Sequence, residues 1–309
     1  MLRMLTLAGS LAFGAVLALP GQHSGRLVKV YGDLATADRV AIVVPGADTT
    51  VATFEASTKR PGGAARALMA EAAKVGHGER LAVIAWLGYD APPTWSLGAI
   101  TDTAAIEGAK ALRRTVMELH GRTSAPIALL CHSYGSVVCA KAGADLPVAD
   151  VALFGSPGID ASSNHAPYGS APSDRPPSDH APSGRTPSDR ALSDPALSDR
   201  APSGRPLSNA LSDASDHPPS DHGAAGQVPS PARVWAGVGG SDWIRFVPKV
   251  KLGPLGFGAD ALSPGYGARV FEVGPGGHSD YFAPGTPSLR NLTLIALGRP
   301  GDVTAAAPA

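Results

Sequence analysis

Ser133 lies in a segment whose residue types suit a catalytic serine. A Cys-His-Ser-Tyr-Gly pentapeptide joins an apolar run, residues 127–131, to a run of small residues, 136–144. This pattern predicts a strand, a sharp turn with the serine at its apex, and a helix, which is the context of a nucleophile elbow. Gly135 allows the strand and the helix to approach closely, whereas Cys131 stands where glycine is usual.

Two further polar residues follow predicted strands, in the chain order that goes with such an elbow. Asp242 follows a strand predicted over residues 233–238, and His278 follows one predicted over residues 269–273. In sheets of parallel strands the active site lies outside the carboxyl ends of the strands. We therefore expect His278 to take the Ser133 proton, and Asp242 to hold the tautomer of His278 and stabilise its imidazolium.

Other residues compete for the roles of base and acid. Ser133 taken alone would also fit an ordinary turn serine. His132 is the nearest rival base, but it is adjacent to the serine in sequence and should point away from it. Asp260 and Asp280 compete with Asp242, and an acid two residues after the histidine would also fit a cap of the last helix.

The remaining parts of the predicted site come from loops. The first predicted strand ends in a Pro-Gly-Ala-Asp segment, so the backbone N–H groups of Ala47 and Tyr134 are expected to form an oxyanion hole. Tyr89, Asp90 and Trp95 are candidates to line the pocket. An exposed loop with a structural aromatic explains these three residues equally well.

Strand and helix signals alternate along the chain. Strands are predicted over residues 39–45, 81–86, 127–131, 151–154, 233–238 and 269–273. Helices are predicted over residues 64–75, over residues 102–120 with Gly121 as a stop, after Ser133, and from Thr286 and Pro287 onward. Near-continuous apolar strands that alternate with helices indicate a mostly parallel sheet covered by helices on both faces, an α/β fold.

A low-complexity segment interrupts this alternation over residues 161–230. Five-residue units such as Ala-Pro-Ser-Asp-Arg repeat there, and the apolar residues are nearly all Ala, Pro and a few Leu. Such a segment buries too little surface to offset the entropy of ordering, so we predict a disordered insertion. Its histidines are explained better by duplication of the repeat than by a metal site; they are His165, His180, His217 and His222. The folded domain is thus predicted over residues 26–160 and 231–300, with a disordered tail over 301–309.

The N-terminal segment, residues 1–25, resembles a secretory signal peptide. Residues 5–20 are apolar, they follow Arg3, and a small-residue cleavage site is possible at 16–18. The stretch is too short and too rich in glycine for a comfortable membrane span. An apolar helix packed on the domain and a membrane anchor are the alternatives. The pattern favours a secreted or membrane-associated protein over a cytoplasmic one and leaves membrane contact open.

Composition narrows the function classes. The 309 residues include 26 basic and 26 acidic side chains, a balance that argues against a nucleic-acid partner. We find no metal-ligand cluster, phosphate loop or dinucleotide fingerprint, so no cofactor is expected. Two cysteines give no disulfide framework, and Cys131 and Cys139 are predicted to be buried small hydrophobic residues rather than a redox pair.

The combination of motifs resembles the DUF1023 family of bacterial α/β-hydrolases over about residues 28–298, apart from the insertion. The matching residues are Val44, Pro45 and Gly46; Tyr89, Asp90, Ala91 and Pro92; His132, Ser133, Tyr134, Gly135 and Ser136; Gly155, Ser156, Pro157 and Gly158; Asp242; and Gly277, His278 and Ser279. The resemblance implies an α/β-hydrolase fold with Ser133, Asp242 and His278 as the catalytic triad. The chain departs from the pattern at Cys131 and in the insertion, which interrupts the lid region.

The resulting hypothesis is an esterase-like serine hydrolase that forms an acyl-enzyme on Ser133 from a small-molecule ester or acyl substrate. An acyltransferase would use the same residues and differ only in the nucleophile that reaches the acyl-enzyme. A non-catalytic protein of the same fold, which binds a ligand or a partner, is the alternative from another class.

Overall fold

The computed structural model of the chain describes residues 25–159, 231–253 and 255–307. The signal peptide expected over residues 1–25 and the insertion expected over 161–230, with its four histidines, lie essentially outside the described residues. Within those three ranges no helix combines the length and apolar character needed to cross a membrane.

A seven-stranded sheet forms the centre of the described part of the chain. In spatial order its strands are β1 (Leu27–Tyr31), β3 (Leu81–Leu87), β2 (Arg39–Val44), β4 (Ile127–His132), β5 (Asp150–Phe154), β6 (Arg233–Gly237) and β9 (Arg269–Val270). β1 runs antiparallel to β3, and the other neighbouring strands are parallel. Two short strands, β7 (Lys251–Leu252) and β8 (Leu255–Gly256), form a separate antiparallel pair.

Helices cover both faces of this sheet. α1 (Pro61–Val75) and α4 (Pro287–Ala296) pack together on one face, and α2 (Thr103–His120) and α3 (Tyr134–Ala142) pack together on the other. The strands between them are apolar on both faces: Ile42 of β2 joins the core under α2 and α3, and its neighbour Val43 joins the core under α1 and α4. The predicted parallel sheet with helices on both faces is confirmed.

The ends of the chain's elements mostly follow the sequence signals. At the start of α4 the Thr286 hydroxyl accepts a hydrogen bond from the Leu289 N–H at 3.2 Å, and Pro287 occupies the first turn, as predicted. α2 ends at His120, and Gly121 follows it as the C-cap. The edge strand β1 was not among the predicted strands.

The last predicted strand and the predicted tail both need correction. β9 covers only two residues of the expected 269–273, because the next residue, Phe271, pairs with Ala305 in an isolated bridge. The Glu272 N–H donates to Thr304 O at 2.9 Å, and the Ala306 N–H donates to Val270 O at 3.0 Å. The prediction of a disordered tail over 301–309 is therefore wrong for the residues that make these bonds.

The two cysteines form a disulfide bond, so the prediction that they are merely buried hydrophobic residues was wrong. Cys131 lies near the end of β4 and Cys139 lies in α3, and the two Cα atoms are 6.4 Å apart because the helix packs back over the strand it follows. Both residues are fully buried. The disulfide thus joins the strand and the helix on either side of Ser133.

Candidate active site

Ser133 lies at the turn between β4 and α3 in a conformation that non-glycine residues rarely adopt. Its φ is 52° and its ψ is −125°. Backbone conformations of this kind cost about 1–3 kcal/mol and persist only where the surroundings hold them. Here the Ser133 N–H donates to Phe154 O at 2.9 Å, and the Ser133 carbonyl accepts from the Ser136 N–H at 2.9 Å. These bonds fix the serine at the apex of the turn, as the sequence pattern predicted.

Two glycines allow the backbone to close around this turn. A Cβ on Gly135 would lie 2.6 Å from the carbonyl oxygens of Val44 and Pro45. A Cβ on Gly46 would lie 2.6 Å from the Ser133 Cβ and 3.1 Å from its Oγ. Larger residues at either position would force the elbow away from the end of β2.

Ser133, His278 and Asp242 form a continuous chain of hydrogen bonds. His278 Nε2 lies 2.8 Å from Ser133 Oγ. On the other side of the ring, His278 Nδ1 lies 2.9 Å from Asp242 Oδ1 and 3.1 Å from Oδ2. With the Nδ1 hydrogen directed at the carboxylate, Nε2 faces the serine hydroxyl as an acceptor. This arrangement can deprotonate the serine and stabilise the imidazolium that results.

Asp242 is completely buried, and its carboxylate has three hydrogen-bond donors. Besides His278, the Ile244 N–H donates to Oδ1 at 2.8 Å and the Tyr281 hydroxyl donates to Oδ2 at 2.5 Å. Burial by itself would raise the pKa of this carboxyl, but the hydrogen bonds outweigh it and hold the pKa below its ordinary value. The group therefore carries its negative charge at neutral pH.

The competing acids are engaged elsewhere. Asp280 Oδ2 accepts a hydrogen bond from the Gly277 N–H at 3.0 Å, within the turn that carries the histidine. Asp260 Oδ1 accepts from the Leu262 N–H at 3.0 Å. The carboxylate bonded to the His278 ring is that of Asp242, the residue expected from its position after β6.

The His132 side chain bonds to the backbone of His278 rather than to the serine hydroxyl, and it supports the loop that carries His278. Its Nε2 donates to the His278 carbonyl oxygen at 2.7 Å, and its ring centroid lies 5.6 Å from that of Phe154 and 5.2 Å from that of Tyr281. Burial, together with the nearby His278, lowers the pKa of His132 to about 3. The neutral ring therefore holds the loop of His278 without adding a charge beside it.

The two backbone groups predicted for the oxyanion hole flank the serine. Tyr134 is the first residue of α3, so its N–H has no acceptor within the helix. Ala47 follows Gly46, which is in contact with Ser133. The Tyr89 hydroxyl donates to Pro45 O at 2.8 Å from below and so supports the same loop.

A cleft of about 510 Å³ opens over the serine. Its lining residues are Gly46, Ala47, Asp48, Thr49, Thr53, Ala56, Ser57, Lys59, Arg60, Thr94, Trp95, His132, Ser133, Trp243, His278 and Ser279. Trp95 lines it, as one alternative expected. Tyr89 is buried beneath the loop instead, and Asp90 forms an ion pair with Arg26 at 3.0 Å.

Several contributors to the site were not expected from the sequence. Tyr281 positions the carboxylate, Trp243 contacts His278 with tilted rings whose centroids are 4.7 Å apart, and Lys59 and Arg60 line the cleft. The one sequence feature that could have pointed to Tyr281 is its position three residues after His278. Arg60 directly precedes the proline that opens α1, and nothing in the sequence ties that position to the serine.

The chain is similar to several known proteins. A family model described as alpha/beta hydrolase matches residues 20–171, a little under half of the chain. Uncharacterized proteins of Mycobacterium tuberculosis and Mycobacterium bovis are 36% identical over 138 residues, which is 42% of this chain and 51% of each relative. The match thus spans about half the length of these relatives.

Two solved structures are also similar. The crystal structure of esterase PE8 matches with a TM-score of 0.44 and 12% identity over 86% of this chain and 95% of that chain. The crystal structure of the esterase domain from a Rhodothermus marinus protein matches with a TM-score of 0.25 and 18% identity over 45% of this chain and 50% of that one. The sheet, the elbow and the family model together show that the described part of the chain has the α/β-hydrolase fold.

Proposed function

We propose that this protein is an esterase-like serine hydrolase of the DUF1023 type, with Ser133 as nucleophile, His278 as general base and Asp242 as its partner. The observation that carries the proposal is the unbroken hydrogen-bonded chain from Ser133 Oγ through the imidazole to the buried carboxylate. An activated serine on a nucleophile elbow is the arrangement that acyl transfer requires.

In the proposed reaction the Ser133 Oγ attacks the carbonyl carbon of an ester while His278 Nε2 takes its proton. The carbonyl oxygen becomes an oxyanion, which the N–H groups of Ala47 and Tyr134 stabilise. When the tetrahedral intermediate collapses, His278 gives the proton to the departing alkoxide and an acyl-enzyme remains on Ser133. Water then attacks the acyl group with His278 again as the base, and the acid product leaves as the serine regains its proton.

Hydrolysis is favoured over transfer to a second substrate by the openness of the cleft. Trp95, which lines the cleft, is 99% exposed, so solvent reaches the mouth of the site. An acyltransferase must keep water away from its acyl-enzyme, whereas a hydrolase needs water to reach it. The open mouth of the cleft therefore favours an esterase.

The disulfide supports the export that the N-terminal sequence suggests. Disulfide bonds persist in oxidising compartments and are rare where thiols are kept reduced. We place the proposed activity outside the cytoplasm on this ground.

The test combines covalent labelling with turnover. A fluorophosphonate should label Ser133 in the intact protein, located by mass spectrometry of the labelled peptide, and p-nitrophenyl esters should be hydrolysed. Ser133→Ala should abolish both signals with little change in melting temperature. Ser263→Ala, which removes a hydroxyl bonded to Asp260 O in a turn outside the cleft, is the matched control and should keep both. Turnover at the wild-type rate by Ser133→Ala would refute the proposed nucleophile.

A further inference from the structure

One wall of the cleft carries positive charge. Lys59 and Arg60 both line it, and Asp48 is the only acid among the described lining residues. The Asp48 carboxylate is engaged by Thr94, whose N–H donates to Oδ1 at 2.9 Å and whose hydroxyl donates to Oδ2. Asp280 lies 3.6 Å from the Lys59 ammonium, but both side chains are about half exposed, so this ion pair is weak. The lining residues thus include two cations, Lys59 and Arg60, and one acid, Asp48.

Arg60 is held in place without being neutralised. Its Nη1 donates to the Asp48 carbonyl oxygen at 2.6 Å and to Thr49 Oγ1 at 3.4 Å. Both acceptors are uncharged groups, so the positive charge of the guanidinium has no counterion in these contacts. In the described part of the chain Nε and Nη2 have no hydrogen-bond acceptor, which leaves a planar fork of donors for a ligand.

Hydroxyl groups line the cleft together with the two cations. Thr49, Ser57 and Ser279 line the cleft beside the two cations. An arginine fork with neighbouring hydroxyls is suited to a carboxylate, a phosphate or a sulfate, because charge-assisted hydrogen bonds to such groups are short and strong. Trp95 and Trp243 supply apolar surface elsewhere in the same cleft.

We propose that the wall formed by Lys59 and Arg60 binds an anionic group of the substrate, so that the preferred substrates are small esters that carry a carboxylate, phosphate or sulfate close to the scissile bond. This inference rests on the proposed esterase function and names its substrate class. The anion would lie against the Arg60 fork while the ester carbonyl lies at Ser133. Long neutral acyl chains would gain nothing from this wall.

A pair of esters that differ in charge tests the inference. The p-nitrophenyl hemiester of adipic acid carries a free carboxylate that does not readily close on its own ester, and the mixed p-nitrophenyl methyl ester of the same acid is neutral. We expect kcat/KM for the anionic ester to exceed that for the neutral ester by about 10- to 100-fold, the range that one charge-assisted hydrogen bond supports. Arg60→Gln should remove most of this ratio because it slows the anionic ester more than the neutral one, and Lys59→Gln should lower the ratio by a smaller factor.

Two controls separate recognition from other effects. Arg80→Gln removes an equal charge from a guanidinium that is bonded to Asp38 outside the cleft, and it should leave the ratio unchanged. Because Arg60 also donates a hydrogen bond to the Asp48 carbonyl oxygen, a slower reaction of the neutral ester in Arg60→Gln would show that this loop has been disturbed.

Equal kcat/KM for both esters in the wild-type protein, or a ratio unaltered in Arg60→Gln, would overturn the anionic substrate while leaving an esterase in place. Failure to hydrolyse either ester, with no fluorophosphonate label on Ser133, would instead overturn the proposed function.

Discussion

At the base of the cleft Asp242 is fully buried and Ser133 is 8% exposed, whereas at the mouth Trp95 is 99% exposed and Trp243 is 48% exposed. The polar side chains at the base are joined to one another by hydrogen bonds of 2.5–3.1 Å. At the mouth, large apolar side chains face solvent. The two regions of one site are built in opposite ways.

This difference in burial suggests that the base of the cleft carries out the reaction and that the mouth recognises the substrate. A network whose dipoles and donors are fixed before the substrate arrives needs little reorganisation during the reaction. Exposed side chains at the mouth have few contacts to lose, so they contribute little to stability and can adapt to a ligand. We therefore expect substitutions at the base to remove turnover, and substitutions at the mouth to change substrate choice while leaving the fold intact.

The largest effect is expected from the base of the cleft. His278→Gln keeps a polar side chain but removes the proton acceptor beside Ser133 Oγ, so kcat should fall by about 10⁴- to 10⁶-fold. The measurement is kcat on a p-nitrophenyl ester, with the melting temperature recorded alongside. His120→Gln, at the exposed end of α2, is the matched control and should retain full activity. Activity of His278→Gln within tenfold of the wild type would mean that another group acts as the base.

Removal of the disulfide is expected to have the next largest effect, which is a loss of stability. Replacing Cys131 and Cys139 by alanine releases a cross-link between residues eight positions apart, which corresponds to a loss of about 2–3 kcal/mol in the free energy of unfolding. Denaturant titration under non-reducing conditions measures this loss. With reductant present the wild type should approach the double variant, whose stability should not respond. Two free thiols in denatured, unreduced wild-type protein would contradict the disulfide.

Much of the fold, and the approach of Ser133, Asp242 and His278 to one another, could be predicted from the sequence because the signals are local. Apolar runs alternate with helical segments, and each of Ser133, Asp242 and His278 lies in the segment that follows a strand. Parallel strands bring their carboxyl ends to one edge of the sheet, so chain order alone placed the three residues near one another. The rival acids Asp260 and Asp280 could not be rejected in this way, since both also lie in loops near that edge.

What could not be predicted depends on contacts between distant segments. The disulfide forms because α3 folds back on β4, and the spacing of two cysteines does not reveal how a helix packs on a strand. The pairing of Phe271 with Ala305 joins a strand end to residues with no strand signal. The approach of Arg60 to the cleft follows from the start of α1, far from Ser133 in the chain.

A smaller effect on activity is expected from the support of Asp242. Tyr281→Phe removes the hydroxyl that donates to Oδ2, one of the hydrogen bonds that keep the pKa of Asp242 below its ordinary value. That pKa should rise, so the carboxylate takes up its proton at a higher pH and activity is lost earlier as the pH falls. We expect kcat/KM to fall by about tenfold at neutral pH and its acid limb to move upward.

The pH profile of kcat/KM distinguishes this role from a purely structural one. Tyr266→Phe is the matched control, because Tyr266 is also buried and its hydroxyl has no hydrogen-bond partner in the described residues. It should leave the acid limb in place. An acid limb that does not move in Tyr281→Phe, together with unchanged kcat/KM, would show that Asp242 does not depend on this hydroxyl.

The smallest effects should come from the mouth, where two tryptophans allow a graded test. Trp95 is 99% exposed, so Trp95→Ala should change the free energy of unfolding by no more than about 0.5 kcal/mol and leave turnover of a short acetyl ester nearly unaltered. Trp243 is 48% exposed and its ring contacts that of His278, so Trp243→Ala should slow the same reaction more. Melting temperatures and kcat/KM for both variants give the comparison. If Trp95→Ala lowered kcat/KM and stability as much as Trp243→Ala, the exposed residues at the mouth would contribute to catalysis as the buried residues do. The proposed division between chemistry at the base and recognition at the mouth would then be wrong.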